Sequence, residues 1–258
     1  MSKPAKIHYR AVFISDTHFG FSKARPKDVL SFLKSISADI LYLDGDIVDL
    51  LAMKHGLNWG KDEIAVLHKI FKLLNSGTRI FYLPGNHDDA VRQFVPCLIS
   101  GIEVEHEIIH VTATGLKILV MHGDKFGITT KFLDTIGTFV YGWLLELNYF
   151  INIVLKFFGL KYFSLAGYLK QLSKKATSYV HDYKNAVKSY AIERGCDGAI
   201  VGHVHKAELS IENDFLYGNC GDWVESMTAL VETDNGEIQS IRFVSPGVIV
   251  VLCPHGRS

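Results

Sequence analysis

At 258 residues the chain is long enough to bury one large core, and a single α/β domain spanning 1–258 is the simplest organisation. Lys and Arg (27) balance Asp and Glu (27), so the net charge is zero and nothing in the global electrostatics argues for a nucleic-acid partner. The four cysteines, Cys97, Cys196, Cys220 and Cys253, make no C-x-x-C pair, which excludes a disulfide scaffold and points to a reducing compartment.

Residues 1–10 lack the apolar core of a signal peptide, so cytoplasmic residence is expected. The first apolar run, Ala11 to Ile14, ends just before Asp16-Thr17-His18. Residues 26–37 have helical apolar spacing with Pro26 near the start. Ile40 to Leu43 then leads into Gly45-Asp46-Ile47-Val48-Asp49. Residues 62–75 predict a second helix, stopped at Gly77, and Ile80 to Leu83 precedes Gly85-Asn86-His87-Asp88. Strand and helix thus alternate through about residue 90, which argues a βαβ half.

Residues 102–121 predict two strands around the turn Ala113-Thr114-Gly115, the second running into His122-Gly123-Asp124. Gly198 to Val201 precedes Gly202-His203-Val204-His205, and residues 215–243 predict further strands with Asn235-Gly236 as a hairpin turn. No internal repeat or low-complexity linker interrupts the pattern.

The excess of apolar residues, 48% with a mean hydropathy of +0.17, concentrates in residues 131–175. Thr138 to Leu160 is rich in Phe, Tyr, Trp, Leu and Ile, and its charges are Glu146 and Lys156. Three readings stand: a helical lid or membrane-contacting helix pair, a buried helix or oligomer contact, and a transmembrane helix. The length approaches the roughly 20 residues of a span. However, one crossing at this point would put His122 and His203 on opposite sides of a membrane. Lysines at 156, 161, 170, 174 and 175 beside aromatics fit an interfacial helix on an anionic leaflet.

Each motif follows a short apolar run that reads as a buried strand. Ligands bind past the carboxyl ends of strands in open α/β sheets, so the five motifs can converge. Asp, His and Asn donors without thiolate suit Mn, Fe or Zn. Two ions about 4 Å apart clamp the attacking and leaving oxygens of an in-line displacement, and one carboxylate must bridge them. Singly, Asp16 and Asp46 fit turn or N-cap residues equally well, and His18 or His122 fits a packed imidazole better than a ligand. Jointly, five motifs in order leave the metal site as the better reading. His8, His55, His68, His106, His110, His181 and His255 match no motif and read as structural.

The series D-x-H, G-D-x-x-D, G-N-H-D, H-G-D, G-H-x-H over residues 12–205 resembles the calcineurin-like metallophosphoesterase superfamily. The resemblance implies an α/β fold, a β-sandwich of two mixed sheets flanked by helices, with a helical insert (lid) at about 131–175. It implies two divalent ions, manganese first and iron or zinc as alternatives. One ion would be held by Asp16, His18, Asp46 and His205, the other by Asp46, Asn86, His122 and His203. Asp46 is the implied bridge, and water activated between the ions the implied nucleophile. His87 would face the leaving group or the phosphoryl oxygens, oriented by Asp49.

Within the superfamily the narrower resemblance is to the UDP-2,3-diacylglucosamine hydrolases of lipid A assembly. It rests on size, the helical insert, and the tail Tyr217-Gly218-Asn219-Cys220-Gly221-Asp222-Trp223-Val224-Glu225-Ser226. It implies a pyrophosphatase releasing UMP and 2,3-diacylglucosamine 1-phosphate (lipid X), peripheral on the cytoplasmic face of the inner membrane. The insert would contact the membrane surface or the acyl chains of this lipid-linked nucleotide. Asp124, Lys125, Lys170 and Lys174 are substrate-binding candidates, with Lys175 and Arg194 behind them. This chain departs from those hydrolases at His87, where they usually carry Arg. The rival expectations are a soluble phosphodiesterase or phosphatase of the same superfamily and a non-catalytic scaffold, though no ligand position is lost.

Overall fold

The computed structural model describes residues 6–53, 56, 59–126, 180–246 and 248–252. The predicted insert at 131–175, with Lys170, Lys174 and Lys175, lies outside them. Two compact units are present, Met1–Asp124 with Val187–Ser258, and Lys125–Ala186. In the second, residues 180–186 are helical and buried Tyr183 meets the Phe126 ring edge-on at 6.5 Å. No described helix is long and apolar enough to cross a membrane.

The first unit opens with β1 (Ile7–Ile14), α1 (Pro26–Ser35), β2 (Ile36–Asp44), α2 (Leu50–Met53), α3 (Lys61–Leu74) and β3 (Arg79–Leu83). There follow β4 (Cys97–Ile99), β5 (Ile102–Val104), β6 (Ile108–Val111), β7 (Lys117–Val120) and β8 (Gly198–Val201). The chain ends with β9 (Glu208–Glu212), β10 (Phe215–Asn219), β11 (Thr228–Glu232), β12 (Ile238–Ser245) and β13 (Val248–Leu252). Eight strands form one sheet in the order β13-β12-β11-β1-β2-β3-β5-β4, and five form another in the order β6-β7-β8-β10-β9. Both sheets are mixed: β1, β2 and β3 run parallel, whereas β1–β11 and β6–β7 are antiparallel.

Side-chain alternation assigns each strand two faces. Val12, Ile14, Leu41 and Leu43 face one core, with Val29, Phe32 and Leu33 of α1 and Val66, Ile70 and Leu73 of α3. The intervening Phe13, Tyr42 and Phe81 stack in the second core, with Ile118, Val120 and Ile200 of the other sheet. Pro26 begins α1 where its missing N–H costs nothing, and the Glu63 carboxylate caps α3 by accepting from Gly60 N at 2.9 Å.

Both predicted helices are present, but the first is shorter than expected. Ile36 and Ser37 belong to β2, where Ile36 pairs with Ile7. A β-branched residue at the end of a helix goes readily to a strand, and the ladder to β1 decides it. Residues 102–121 hold three strands rather than two, because Ile102–Val104 pairs with β3 and β4 in the larger sheet while β6 and β7 join the smaller.

A buried polar network crosses the second core. His110 Nε2 lies 2.8 Å from Glu232 Oε2, its Nδ1 lies 3.0 Å from the Tyr42 hydroxyl, and Arg10 Nη1 donates to both oxygens of Glu232. Burial lowers the His110 pKa below its ordinary 6.5, against the opposing pull of Glu232. Below 6.5 the unfolded chain therefore binds the proton that the folded chain resists. The stability this group contributes is present above 6.5 and lost as pH falls through the window beneath it. Thermal unfolding from pH 7.5 to 5 should accordingly show a smaller decline in His110→Gln than in the parent. Parallel pH profiles would remove His110 as the cause.

Candidate metal centre

Five loops at the carboxyl ends of β1, β2, β3, β7 and β8 carry the motif residues, and hydrogen bonds past the strands join them. Asp16 N donates to Gly45 O at 3.0 Å, His18 N to Asp46 O at 2.9 Å and Gly202 N to His122 O at 3.1 Å. Asp16, His18, Asp46, His203 and His205 all have φ between 48 and 66°. A non-glycine residue in the left-handed region costs of order 1–3 kcal/mol and persists where the surroundings impose it, typically at functional sites. Two glycines make the approach close. A Cβ on Gly45, itself at φ 77°, would overlap the His122 ring, and one on Gly85 would overlap Asp46.

Two trios of donors match the ligand positions that the resemblance implies, and a third, His18, Asp49 and His87, shares His18 with the first of them. Ligand atoms of Asp16, His18 and His205 lie within 4.8 Å of one another, and so do those of Asp46, His122 and His203. The two histidines of Gly202-His203-Val204-His205 thus serve different trios, as a loop permits and a strand would not. His205 Nε2 is 3.0 Å from Asp16 Oδ1 and 3.4 Å from His18 Nε2, and His122 Nε2 is 3.3 Å from Asp46 Oδ2. Asp16, His18, Asp46 and His122 are buried, whereas the His205 side chain is 40% exposed, so the cluster opens on one side.

A metal pair fits these donors. Asn86 Oδ1 is buried with no hydrogen-bond partner among the described residues, and the buried Asp16 Oδ1 and His122 Nε2 meet only other donors of the centre, His205 Nε2 and Asp46 Oδ2. Such atoms are costly unless something else binds them. The second carboxylate oxygens are committed to backbone: Asp16 Oδ2 accepts from His203 N at 3.1 Å and Asp46 Oδ1 from His87 N at 2.7 Å. His122 Nδ1 lies 3.0 Å from Asp44 O; with its proton there, Nε2 is left as the metal-binding atom.

The carboxylates of Asp16 and Asp49 are held ionised despite their burial. Burial would raise the Asp16 carboxyl, but His205, His122 and His18 overcome it and hold the group below the usual carboxylate range. Burial would lower His205, but Asp16 raises it to about 9. Asp49 is likewise held low against burial, by His18, His87 and the Ala52 N–H. Its Oδ2 lies 3.2 Å from His18 Nδ1 and 3.0 Å from His87 Nδ1, so one oxygen orients both rings.

Several residues to which the motifs gave no role hold the loops in place. Asp88 is fully buried and accepts from Ile47 N, Gly85 N and the Tyr82 hydroxyl, tying the loop after β3 to that after β2. Asn219 donates to Gly202 O at 2.7 Å, and Trp223 N donates to Asp16 O at 3.1 Å, so the tail motif fastens two ligand loops from behind. Asp222 Oδ1 accepts from Val224 N and Glu225 N and closes that tail as a turn. Their signal in the sequence was only position: Asn219, Asp222 and Trp223 follow a predicted strand.

Of the substrate-binding candidates, Asp124 gives both oxygens to Arg92. Lys125 belongs to the second unit, its ammonium 5.3 Å from the Phe126 ring centre. Lys170 and Lys174 lie outside the described residues. Arg194 is engaged by Glu107 and stacks on Tyr190.

Residues 9–207 match the family described as calcineurin-like phosphoesterase. The chain belongs to this family. Seen from the residues, the phosphoesterase is a metal-dependent hydrolase whose family uses divalent ions, and its two donor trios are where such ions would bind. It is similar to a UDP-2,3-diacylglucosamine hydrolase of Neisseria meningitidis serogroup B, 25% identical over 240 residues that cover 87% of this chain and 94% of the relative. A protein of the same name from Vibrio atlanticus is 25% identical over 265 residues, covering 91% and 98%. Among solved structures, Vacuolar Protein Sorting 29 from Cryptosporidium parvum aligns with a TM-score of 0.48 at 13% identity, over 94% of each chain.

Proposed function

We propose that this phosphoesterase hydrolyses UDP-2,3-diacylglucosamine, consuming one water and breaking one phosphoanhydride P–O bond to give UMP and 2,3-diacylglucosamine 1-phosphate. The observation that carries this reading is the relatedness to UDP-2,3-diacylglucosamine hydrolases over nearly the whole chain, with every donor of the metal centre present. The apolar stretch between His122 and His203 supports it, since acyl chains need apolar walls beside a polar site. The same stretch would hold the enzyme at the cytoplasmic surface of the inner membrane.

Asp16, His18, His205, Asp46, Asn86, His122 and His203 would hold two divalent ions, manganese first. Such ions neutralise phosphate oxygens and lower the pKa of bound water. Asp49 fixes His87 through Nδ1, which leaves Nε2 as the atom that moves a proton to the leaving oxygen. Phosphoryl transfer needs little beyond positioning and charge stabilisation, which is what this donor set offers.

The test is Mn-dependent hydrolysis of UDP-2,3-diacylglucosamine in detergent micelles with products identified by mass. UMP with the acylated sugar phosphate is the expected result. No turnover, beside Mn-dependent cleavage of a simple aryl phosphodiester, would overturn the substrate. It would favour the second reading, a phosphodiesterase with another substrate. His87 is the observation for that reading, because an imidazole offers a titratable proton where Arg offers a fixed fork to phosphate.

A further inference from the structure

Asn86 and His122 belong to different sheets: β3 lies in the eight-stranded sheet and β7 in the five-stranded one. No strand ladder therefore sets the loop after β3 against the loop after β7, although both supply the same proposed ion. Arg92 spans them. Its Nη1 and Nη2 donate to Asp124 Oδ2 and Oδ1 at 2.9 and 2.6 Å. Nε and Nη2 donate to the Pro84 carbonyl at 3.1 and 2.8 Å, and Nη1 reaches Asp89 Oδ1 at 3.2 Å. All three guanidinium nitrogens are engaged. One end of the fork holds the residue two before Asn86, and the other holds the residue two after His122.

We infer that Arg92 is a positioning residue for the metal pair: its fork fixes the separation of the Asn86 and His122 loops and so sets the affinity for the ion they share. The inference rests on the dinuclear reading above. A planar guanidinium can serve a carboxylate and a carbonyl together in fixed geometry; a lysine ammonium is a point charge and cannot. The Asp124 side chain is 14% exposed, and both of its oxygens accept from the fork. The Asp16, His18 and His205 trio lies on other loops, so its ion should not feel the change.

The experiment is calorimetric titration of Mn²⁺ into metal-free full-length protein, with elemental analysis of the dialysed complex. Parent protein should bind two ions. Arg92→Ala and Arg92→Lys should each keep the tighter ion and bind the other about 10–100-fold more weakly, the range typical for residues that orient a metal ligand. Asp124→Ala should lose the same ion, and the double variant Arg92→Ala/Asp124→Ala should be no worse than either, because the pair acts as one unit. Millimolar guanidinium should restore the weakened ion in Arg92→Ala, a rescue that general destabilisation would not give.

Two ions of unchanged affinity in Arg92→Lys would overturn the inference and leave the dinuclear reading standing. Fewer than two ions in the parent would overturn both. If Arg92→Ala does not fold, Arg92→Lys and Asp124→Asn carry the test on the same readout.

Discussion

Asp46→Ala is expected to cost both metal ions together, and with them all measurable hydrolysis. Asp46 is 2% exposed, and its Oδ2 lies 3.3 Å from His122 Nε2. Its carboxylate is also felt by His18 and His205 of the other trio. Removing it deletes the carboxylate that the bridging assignment shares between the two ions. It also releases the His87 N–H that Oδ1 accepts. Loss of a residue that merely orients a ligand costs about 10–100-fold in affinity, so loss of a shared ligand should exceed the upper end of that range for each ion. Elemental analysis after dialysis reads the result. His203→Ala is the control, since His203 belongs to one trio and should cost one ion. Asp46→Asn separates the two effects, because its carbonyl oxygen can still take the His87 N–H while the charge is gone. Retention of one full ion in Asp46→Ala would show that Asp46 does not bridge.

The motif loops were legible because each follows a short apolar run that reads as a buried strand. Ala11 to Ile14, Ile40 to Leu43 and Ile80 to Leu83 became β1, β2 and β3 in parallel register, which puts Asp16, Asp46 and Asn86 past the carboxyl ends of adjacent strands. Period and punctuation carry that much. They do not carry β4, β9 or β13, which are all edge strands. Leu98 and Val251 are 69% and 55% exposed, so burial writes no alternation there and long-range pairing alone makes the strand. Nor does a pattern of residue types show what a hydrogen bond does. Arg92 sits five residues beyond His87 like any surface arginine, and Asn219 ends a strand like any polar residue; only geometry gives each its partner. Asp44 was hidden differently. Alternation places it two residues past Tyr42, on the face toward the second core, where both carboxylate oxygens lack a hydrogen-bond partner among the described residues.

His87→Ala should lower turnover about 10²–10⁴-fold, the usual contribution of a placed proton donor, while both ions stay bound. His87 Nδ1 faces Asp49 Oδ2 at 3.0 Å, and its own trio, with His18 and Asp49, shares only His18 with the two that hold Asp16 and Asp46. Its ring meets His18 edge-on at 4.6 Å, so the space left by alanine adjoins a ligand without removing one. Asp49→Asn should behave differently. The same Oδ2 orients His18, hence that variant should weaken the Asp16, His18 and His205 ion as well as slow turnover. The informative substitution is His87→Arg, which installs the residue usual in the lipid A hydrolases. An arginine cannot donate a proton at neutral pH, but it can clamp a pyrophosphate oxygen. On UDP-2,3-diacylglucosamine, His87→Arg should therefore retain far more kcat/KM than His87→Ala. On an aryl phosphodiester the two variants should be equally poor. Metal analysis showing one ion missing from His87→Ala would make His87 a ligand and end its assignment as the proton donor.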